Sequence, residues 1–456
     1  MSEIETPSWG IEPVPERLRL LGMLDGFLLW ANLSVSLLVI VAGAFLVLPP
    51  GQFGLGLSLP QALAAIVAAA FVGNLMLGLG GLIGADAGVP TMVLLRAPLG
   101  RQGSYLPTAL NILQCLGWSV FELIVIATGA SALSERVFGF GGLAFWKILF
   151  GAIATALALL GPVGFVRRYV RKFAVWFVIA SLFYLAWWSL HGEHPVALWD
   201  RPGAHAFWAG FDLTLASIIS WTPLVADYTR FSRSRAAGFW GAGLGYFVPT
   251  IPLFALGAVI AMSRQISDAP ALLTAIAAGG VGSVLALLAL TVDESDEAFA
   301  NVYSGAVSLQ NLVPHVPQRA LVGGFAALAT GGALLIDLRN YQSFLYLLGS
   351  FFVPLFAVLL ADWLANGRHY DRDDIFGRDG VNAGLVFAWL AGFCLYQWLY
   401  PQGPGWWTRL VAHAHPHALP WGGASLPSFA AAFVLALLAR LAGRPQAAST
   451  GISVRR

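Results

Sequence analysis

Residues 291–301 read TVDESDEAFAN, so four carboxylates follow closely on one another inside an apolar region of the chain. The residues before them (279–290) are almost entirely Ala, Val, Leu and Gly, and those after them (298–313) are mostly apolar. A charge at the centre of a bilayer costs about 2.5–3.5 kcal/mol on insertion scales, so acidic residues are kept there where they bind something. This region is therefore either a membrane helix with a functional acidic cluster or two short apolar segments joined by an acidic loop.

The composition is that of a polytopic membrane protein. Of the 456 residues, 58% are hydrophobic and 11% are charged, and the mean hydropathy is +0.75; a soluble domain carries about 25% charged residues. The net charge of +2 gives no sign of a nucleic-acid partner, and no obligate protein partner is expected. Cys115 and Cys394 lie in apolar runs and imply no disulfide framework. The polar segment 1–20 lacks the apolar core of a cleavable signal peptide.

Twelve apolar runs are near the length of about 20 residues that a membrane helix needs. They cover residues 21–48, 60–84, 107–131, 144–162, 172–190, 206–226, 238–262, 278–305, 319–336, 341–364, 381–400 and 422–443. With the N-terminus in the cytoplasm, nineteen Lys and Arg residues fall in inside segments and six in outside segments, which is the bias of the positive-inside rule. The sequence thus predicts twelve spans in the plasma (inner) membrane with both ends cytoplasmic. A loop at 291–297 would add a thirteenth span and place the later arginines outside, which disfavours it.

The third span carries a polar stripe. Asn111, Gln114, Trp118 and Glu122 are three or four residues apart, so they lie on one face of a helix. An aromatic plane one turn from a carboxylate suits a flat heterocycle with N–H donors, since the ring stacks and the carboxylate accepts. The alternative is a helix-packing stripe in which Glu122 bonds a neighbouring span.

The sixth and first spans carry signs of interruption. Residues 217–227 include Ser220, Trp221, Thr222 and Pro223, and a proline removes a backbone donor that the hydroxyls of Ser220 and Thr222 could compensate. The first span has no proline, but Asn32, Ser34 and Ser36 could support an unwound stretch. Interruptions at matching places in two halves point to an inverted-repeat transporter that holds its substrate near the midplane; ordinary packing by a Pro kink and small polar groups is the alternative.

Together these residues resemble the nucleobase–cation-symport-1 family, the purine, cytosine, hydantoin and hydroxymethylpyrimidine permeases. The resemblance runs from about Gly22 to Asp362. It rests on the ordered set of GADAGVP (84–90) with Arg96, Gly100, Gly103 and Ser104, Gly117-Trp118, Trp221 with DYTR (227–230), ANVYS (300–304), and Tyr341 through Leu348-Gly349-Ser350 to Pro354 and Asp362. The amino-acid sequence around the second and third spans is most similar to the cytosine or hydroxymethylpyrimidine branch of the family.

The resemblance implies an all-α polytopic membrane protein with a LeuT-type 5+5 inverted repeat and two extra C-terminal helices. The segments would be a cytoplasmic tail (1–20), a first repeat (21–190), a second repeat (206–364), spans 11 and 12 (381–443) and a second cytoplasmic tail (444–456).

The resemblance also implies a substrate site. The ring would be sandwiched between Trp118 and Trp221, with Ser220 beside the second indole. The family commonly has Gln where this chain has Glu122, and an Asn pair where this chain has Glu297 and Asn301. A carboxylate only accepts hydrogen bonds, whereas an amide also donates, so Glu122 favours an amidine-like edge over a hydantoin, or is protonated and mimics the amide.

For the coupling ion, the family's sodium site implies carbonyls of the first span, around Asn32 and Val35, with Val292, Ser295 and Asp296 on the eighth. Asp296 replaces a neutral residue, and the cluster is more negative than one Na⁺ balances, so Na⁺ and H⁺ both stay open. No cofactor is expected, and no metal other than Na⁺.

The expected function is cation-coupled uptake of a cytosine- or hydroxymethylpyrimidine-like base by alternating access, without enzymatic activity. A purine, hydantoin or allantoin symporter on the same fold is the nearest alternative. An acid-lined cation channel and an intramembrane enzyme are alternatives of a different class.

Overall fold

The computed structural model describes residues 11–50, 54–160, 164–191, 199, 202–312, 316–414, 416–417, 419 and 423–442. Within helices, the side chains of residues 157–160, 164–175, 295–300, 303–304, 307, 310–312 and 318 lie outside this description. Apart from two isolated bridges, Leu21–Ser232 and Pro50–Gly54, the regular structure of the described residues is helical.

The first half of the chain holds helices on either side of a break in the first span. Their bounds are α1 Met23–Leu33, α2 Leu37–Val47, α3 Leu59–Ala87, α4 Thr91–Leu94, α5 Arg96–Leu99, α6 Tyr105–Phe138, α7 Leu143–Leu160 and α8 Gly164–Leu190.

The second half begins with another interrupted span. Its helices are α9 Phe207–Ile219, α10 Thr222–Thr229, α11 Arg235–Ser263, α12 Ala269–Ala278, α13 Val281–Leu312, α14 Gln318–Leu335, α15 Tyr341–Ala365, α16 Arg372–Phe376, α17 Ala383–Leu399, α18 Gly405–Ala412 and α19 Ser425–Ala442. The apolar helix α12 was not predicted.

Each of the twelve predicted spans coincides with a helix or a helix pair, but helix length alone supports fewer crossings. Among the described residues, six helices are long and apolar enough to cross a membrane, and the pair α1–α2, bent by 61°, makes a seventh. Several remaining apolar helices are shorter, among them 383–399. The all-helical membrane fold is confirmed in this coarse form, and the count of twelve with two extra C-terminal spans stays a prediction.

The acidic stretch lies within a helix. α13 runs without a break from Val281 to Leu312, so the loop alternative for residues 291–297 is wrong. The reason is physical: Glu294 is 1% exposed and its carboxylate is hydrogen-bonded inside the protein, which offsets the cost of burying it.

The helices pack in two groups with a cavity between them. α11 packs against α1, α2 and α3, and α3 packs against α9. On the other side α13 packs along α6, α8 and α14. α15 packs against α9 of the first group and against the C-terminal pair α17 and α19. The interruptions at 34–36 and 220–221 both face the cavity, so this packing places the two breaks at one site.

Candidate functional site

A small internal cavity collects most of the residues that the sequence singled out. Its volume is about 20 Å³, which is room for about one water molecule, so it is too small for a heterocycle in this structure. It is lined by Leu33, Ser36, Val39, Trp118, Glu122, Ser217, Ser220, Trp221, Leu224, Tyr246 and Asn301.

Both predicted tryptophans line the cavity, and each indole is fixed by other rings. Trp118 is edge-on to Phe344 and Tyr341, with centroid distances of 5.5 and 5.8 Å. Trp221 is edge-on to Trp30 at 5.9 Å, and it also packs on Tyr246 at 6.0 Å. Edge-to-face contacts of this kind stabilise each pair by about 0.5–1.5 kcal/mol beyond area burial, so the indoles are held in place before a ligand arrives.

The break in the sixth span is satisfied by the side chains expected to do so. The hydroxyl of Ser220 donates to the Ser217 carbonyl at 2.7 Å, and that of Thr222 donates to the Ile219 carbonyl at 2.7 Å. The freed carbonyl of Ser220 accepts from Nε2 of Gln114 at 2.8 Å. Pro223 lies in the first turn of α10, where a missing N–H costs little, so the proline begins a helix rather than kinking one.

Glu122 is tied to the eighth span on one side only. Nδ2 of Asn301 donates to its Oε1 at 2.6 Å, and both residues are buried, with 1% and 6% exposure. Among the described residues, Oε2 of Glu122 has no hydrogen-bond partner. A buried carboxylate oxygen without a hydrogen-bond partner costs free energy. A ligand that donates a hydrogen bond to this oxygen would therefore be stabilised in the cavity.

A second carboxylate, from Glu294, occupies the break in the first span. Its Oε1 accepts from the Ser36 hydroxyl at 2.8 Å and its Oε2 accepts from the Leu37 N–H at 2.7 Å. Ser36 caps α2, and its Oγ accepts from the Leu38 N–H at 3.1 Å. The sequence analysis counted Glu294 in the cluster but gave it no role. The sequence does indicate that Glu294 faces the site, because Glu294 and Asn301 are seven residues apart and therefore share a helix face.

The predicted site residues fall into three sets. Trp118, Glu122, Ser220, Trp221 and Asn301 are brought together around the cavity. The side chains of Ser295, Asp296 and Glu297 lie outside the described part of the chain.

The remaining predicted cation ligands are placed as follows. Asn32 lies in the last turn of α1, and Val35 lies in the break between α1 and α2. The side chain of Val292 is 56% exposed, two residues from Glu294 and so on another face of α13. Ser217 and Tyr246 line the cavity but were not predicted, because nothing in their local pattern separates them from ordinary packing.

The charge around the cavity is one-sided. Of the described residues, no Lys, Arg or His lines it, while Glu122 does and Glu294 lies directly behind Ser36. No three His, Cys, Asp or Glu side chains in the described part of the chain are grouped as a metal site. The arrangement can bind a planar group between indoles and can accept donors or positive charge.

Comparison with known proteins gives a consistent result. Residues 13–413 match a family model described as a permease for cytosine/purines, uracil, thiamine and allantoin. The chain is 26% identical over 369 residues to the cytosine permease of Escherichia coli (strain K12), covering 76% of this chain and 81% of the relative. It is also 26% identical over 376 residues to the allantoin permease of Bacillus subtilis (strain 168), covering 72% and 74%.

Solved structures match over nearly the whole chain. The inward-facing conformation of Mhp1 has a TM-score of 0.78 at 18% identity and covers 95% of this chain and 93% of its own. A closed conformation of Mhp1, a nucleobase-cation-symport-1 family transporter with bromovinylhydantoin bound, has a TM-score of 0.70 at 19% identity, covering 94% and 93%. At this identity the likeness shows a shared fold.

Proposed function

Because the chain belongs to the nucleobase–cation-symport-1 family of permeases, we propose that it is a secondary active transporter for a small planar nitrogen heterocycle similar to cytosine or hydroxymethylpyrimidine. Uptake is coupled to an inward cation gradient and proceeds by alternating access.

The observation that carries the proposal is that Trp118, Trp221 and Glu122 all line one cavity. Stacking of a base on an aromatic side chain contributes about 1–3 kcal/mol, and edge-on neighbours hold both indoles. A substrate ring between them requires the cavity to expand from its volume of about 20 Å³, and an alternating-access site changes its shape during transport.

Glu122 reads the hydrogen-bonding edge of the ring. Its Oε1 is held by Asn301, which leaves Oε2 to meet the ligand. An aminopyrimidine edge offers an exocyclic N–H₂ beside a ring nitrogen. Oε2 and the ring nitrogen share one proton, and Oε1, which keeps a lone pair besides the one that Asn301 uses, accepts from the N–H₂, so the edge makes two hydrogen bonds. This match favours an amidine-like edge and supports cytosine-like substrates over hydantoins.

The coupling cation enters near the break in the first span. The proposal places it among carbonyls around Asn32 and Val35 and the eighth-span residues Val292, Ser295 and Asp296, with Glu297 near the substrate. Na⁺ and H⁺ are both compatible with this acidic surrounding. Either ion drives transport only through a difference in its affinity for the outward- and inward-open states.

The same proposal covers the architecture. Two inverted repeats, 21–190 and 206–364, followed by spans in 381–443, give twelve crossings of the plasma (inner) membrane, with tails 1–20 and 444–456 in the cytoplasm. The breaks at 34–36 and 220–221 in the two halves support the repeat.

The test is a ligand panel on the purified full chain. Thermal unfolding is measured with cytosine, hydroxymethylpyrimidine, purines, allantoin and hydantoins, each with and without Na⁺ at two pH values, followed by uptake into proteoliposomes. We expect an aminopyrimidine to raise the melting temperature most, and uptake to need a Na⁺ or proton gradient. No stabilisation by any heterocycle, or cation currents without solute, would contradict the proposal.

A further inference from the structure

The amide end of α2 is filled by the protein's own carboxylate. A helix N-terminus carries roughly half a positive charge and free N–H groups, and broken helices of transporters point such ends at anionic groups of their substrates. Here the N–H of Leu37 and the hydroxyl of Ser36 are already used by Glu294, and the N–H of Leu38 is used by Ser36. The place that a substrate anion would take is therefore occupied.

The groups around Glu294 make the site more negative still. Glu122 on α6 interacts electrostatically with Glu294, and so does Asp293, which precedes it on α13. α2 has no titratable side chain, and none of the described residues that line the cavity is Lys, Arg or His. A second anion would meet like charges, and the Ser36 hydroxyl and the first two N–H groups of α2 are already used.

We propose that Glu294 is a built-in anion that holds the broken first span and makes the pocket select neutral or cationic heterocycles against those carrying a carboxylate. The selectivity half of this inference rests on the proposed function; the anion site itself does not. Removing the carboxylate, as in Glu294→Ala, leaves a hydroxyl and backbone amides that bind a small external anion.

The first experiment needs no substrate. Thermal unfolding of the purified full chain is measured in formate and in gluconate at equal ionic strength. We expect formate to raise the melting temperature of Glu294→Ala by about 2 °C or more over gluconate, and to leave the wild type and Glu135→Ala unchanged. Glu135 is a matched control because it is an exposed glutamate on α6. Equal response of all three proteins, or of none, would overturn the anion site.

A second readout covers a variant that does not fold. Recovery of folded Glu294→Ala only when formate is present during solubilisation supports the proposal. If it is recovered in neither salt, Glu294→Gln decides, since it keeps an acceptor oxygen and loses the charge. We expect its affinity for orotate, a pyrimidine carboxylate, relative to cytosine to rise at least tenfold over the wild type. An unchanged ratio would refute the selectivity role, while a formate response without any heterocycle response would count against the proposed function alone.

Discussion

Trp118 and Trp221 line the same cavity, but the side chains that surround them differ, so the effects of removing each indole differ too. Trp221 belongs to an aromatic group with Trp30 and Tyr246 beside the broken first span, so its removal also loosens that packing. Trp118 contacts Phe344 and Tyr341 and is only partly buried. Trp118 is therefore the cleaner probe of stacking.

Trp118→Ala should weaken binding of the best ligand of the panel by about 1–3 kcal/mol, the free energy of base–aromatic stacking. This corresponds to roughly 5- to 150-fold in affinity, measured by titration of the purified protein. The control is Trp398→Ala, because Trp398 is 41% exposed and does not line the cavity. Retained affinity in Trp118→Ala, or an equal loss in both variants, would remove Trp118 from the site.

At this scale the sequence predicted the tryptophans and Glu122 but not Glu294. The residues from Asn111 to Glu122 have helical spacing, and a carboxylate within a membrane span must face a partner. The face of the helix that points into the protein is therefore known from the sequence. Four acids within 293–297 turn through more than a full helical turn, and spacing alone does not say which of them points inward. That choice depends on the rotation of α13 against α2 and α6, which is a property of tertiary packing.

The broken first span depends on how closely α2 lies against α11. A Cβ added at Gly257 would overlap the Ile40 carbonyl, and one added at Gly43 would overlap the Phe254 carbonyl. Small residues let membrane helices approach backbone to backbone. This contact fixes α2, and with it the amide end that Glu294 occupies.

Gly257→Ala should destabilise the fold by about 1–3 kcal/mol, because the overlap is with backbone that has no rotamer to relax into. The measurement is the melting temperature and the yield of monodisperse protein. Gly331→Ala is the matched control: Gly331 also lies in a helix, and a Cβ there meets no described atom within 4 Å. A melting temperature of Gly257→Ala equal to that of Gly331→Ala would show that α2 and α11 do not need this contact.

The break itself was only weakly predictable. Ser36 before an apolar run is an N-cap pattern, but Ser and Asn also join membrane helices side by side. The break in the sixth span was more evident from Pro223, although the proline turns out to begin α10. In both cases the second partner, Glu294 or Gln114, comes from a distant part of the sequence.

Across the whole molecule, contacts between helix ends agree with the predicted grouping of the loops on two sides of the membrane. Arg339 pairs with Asp268 at 2.9 Å, and both belong to predicted outside segments. Asp86 contacts Arg235 and His369, all three in predicted inside segments. If an odd number of helices crossed the membrane between two contacting residues, the residues would lie on opposite sides and could not meet.

Cysteine labelling in intact cells tests that orientation and the span count together. In a Cys394→Ala background, where Cys115 is buried, we expect Ser267→Cys and Gly405→Cys to react with an impermeant maleimide from outside. Asp373→Cys should react only after permeabilisation. Besides the short helices α12 and α16, the four predicted crossings α13, α14, α15 and α17 lie between positions 267 and 405. Both positions are on one side only if an even number of these four crosses. Reaction at position 267 but not at 405 would mean that one of these four helices does not span the membrane. If that helix were α13, a site at membrane depth would have no wall from the eighth span.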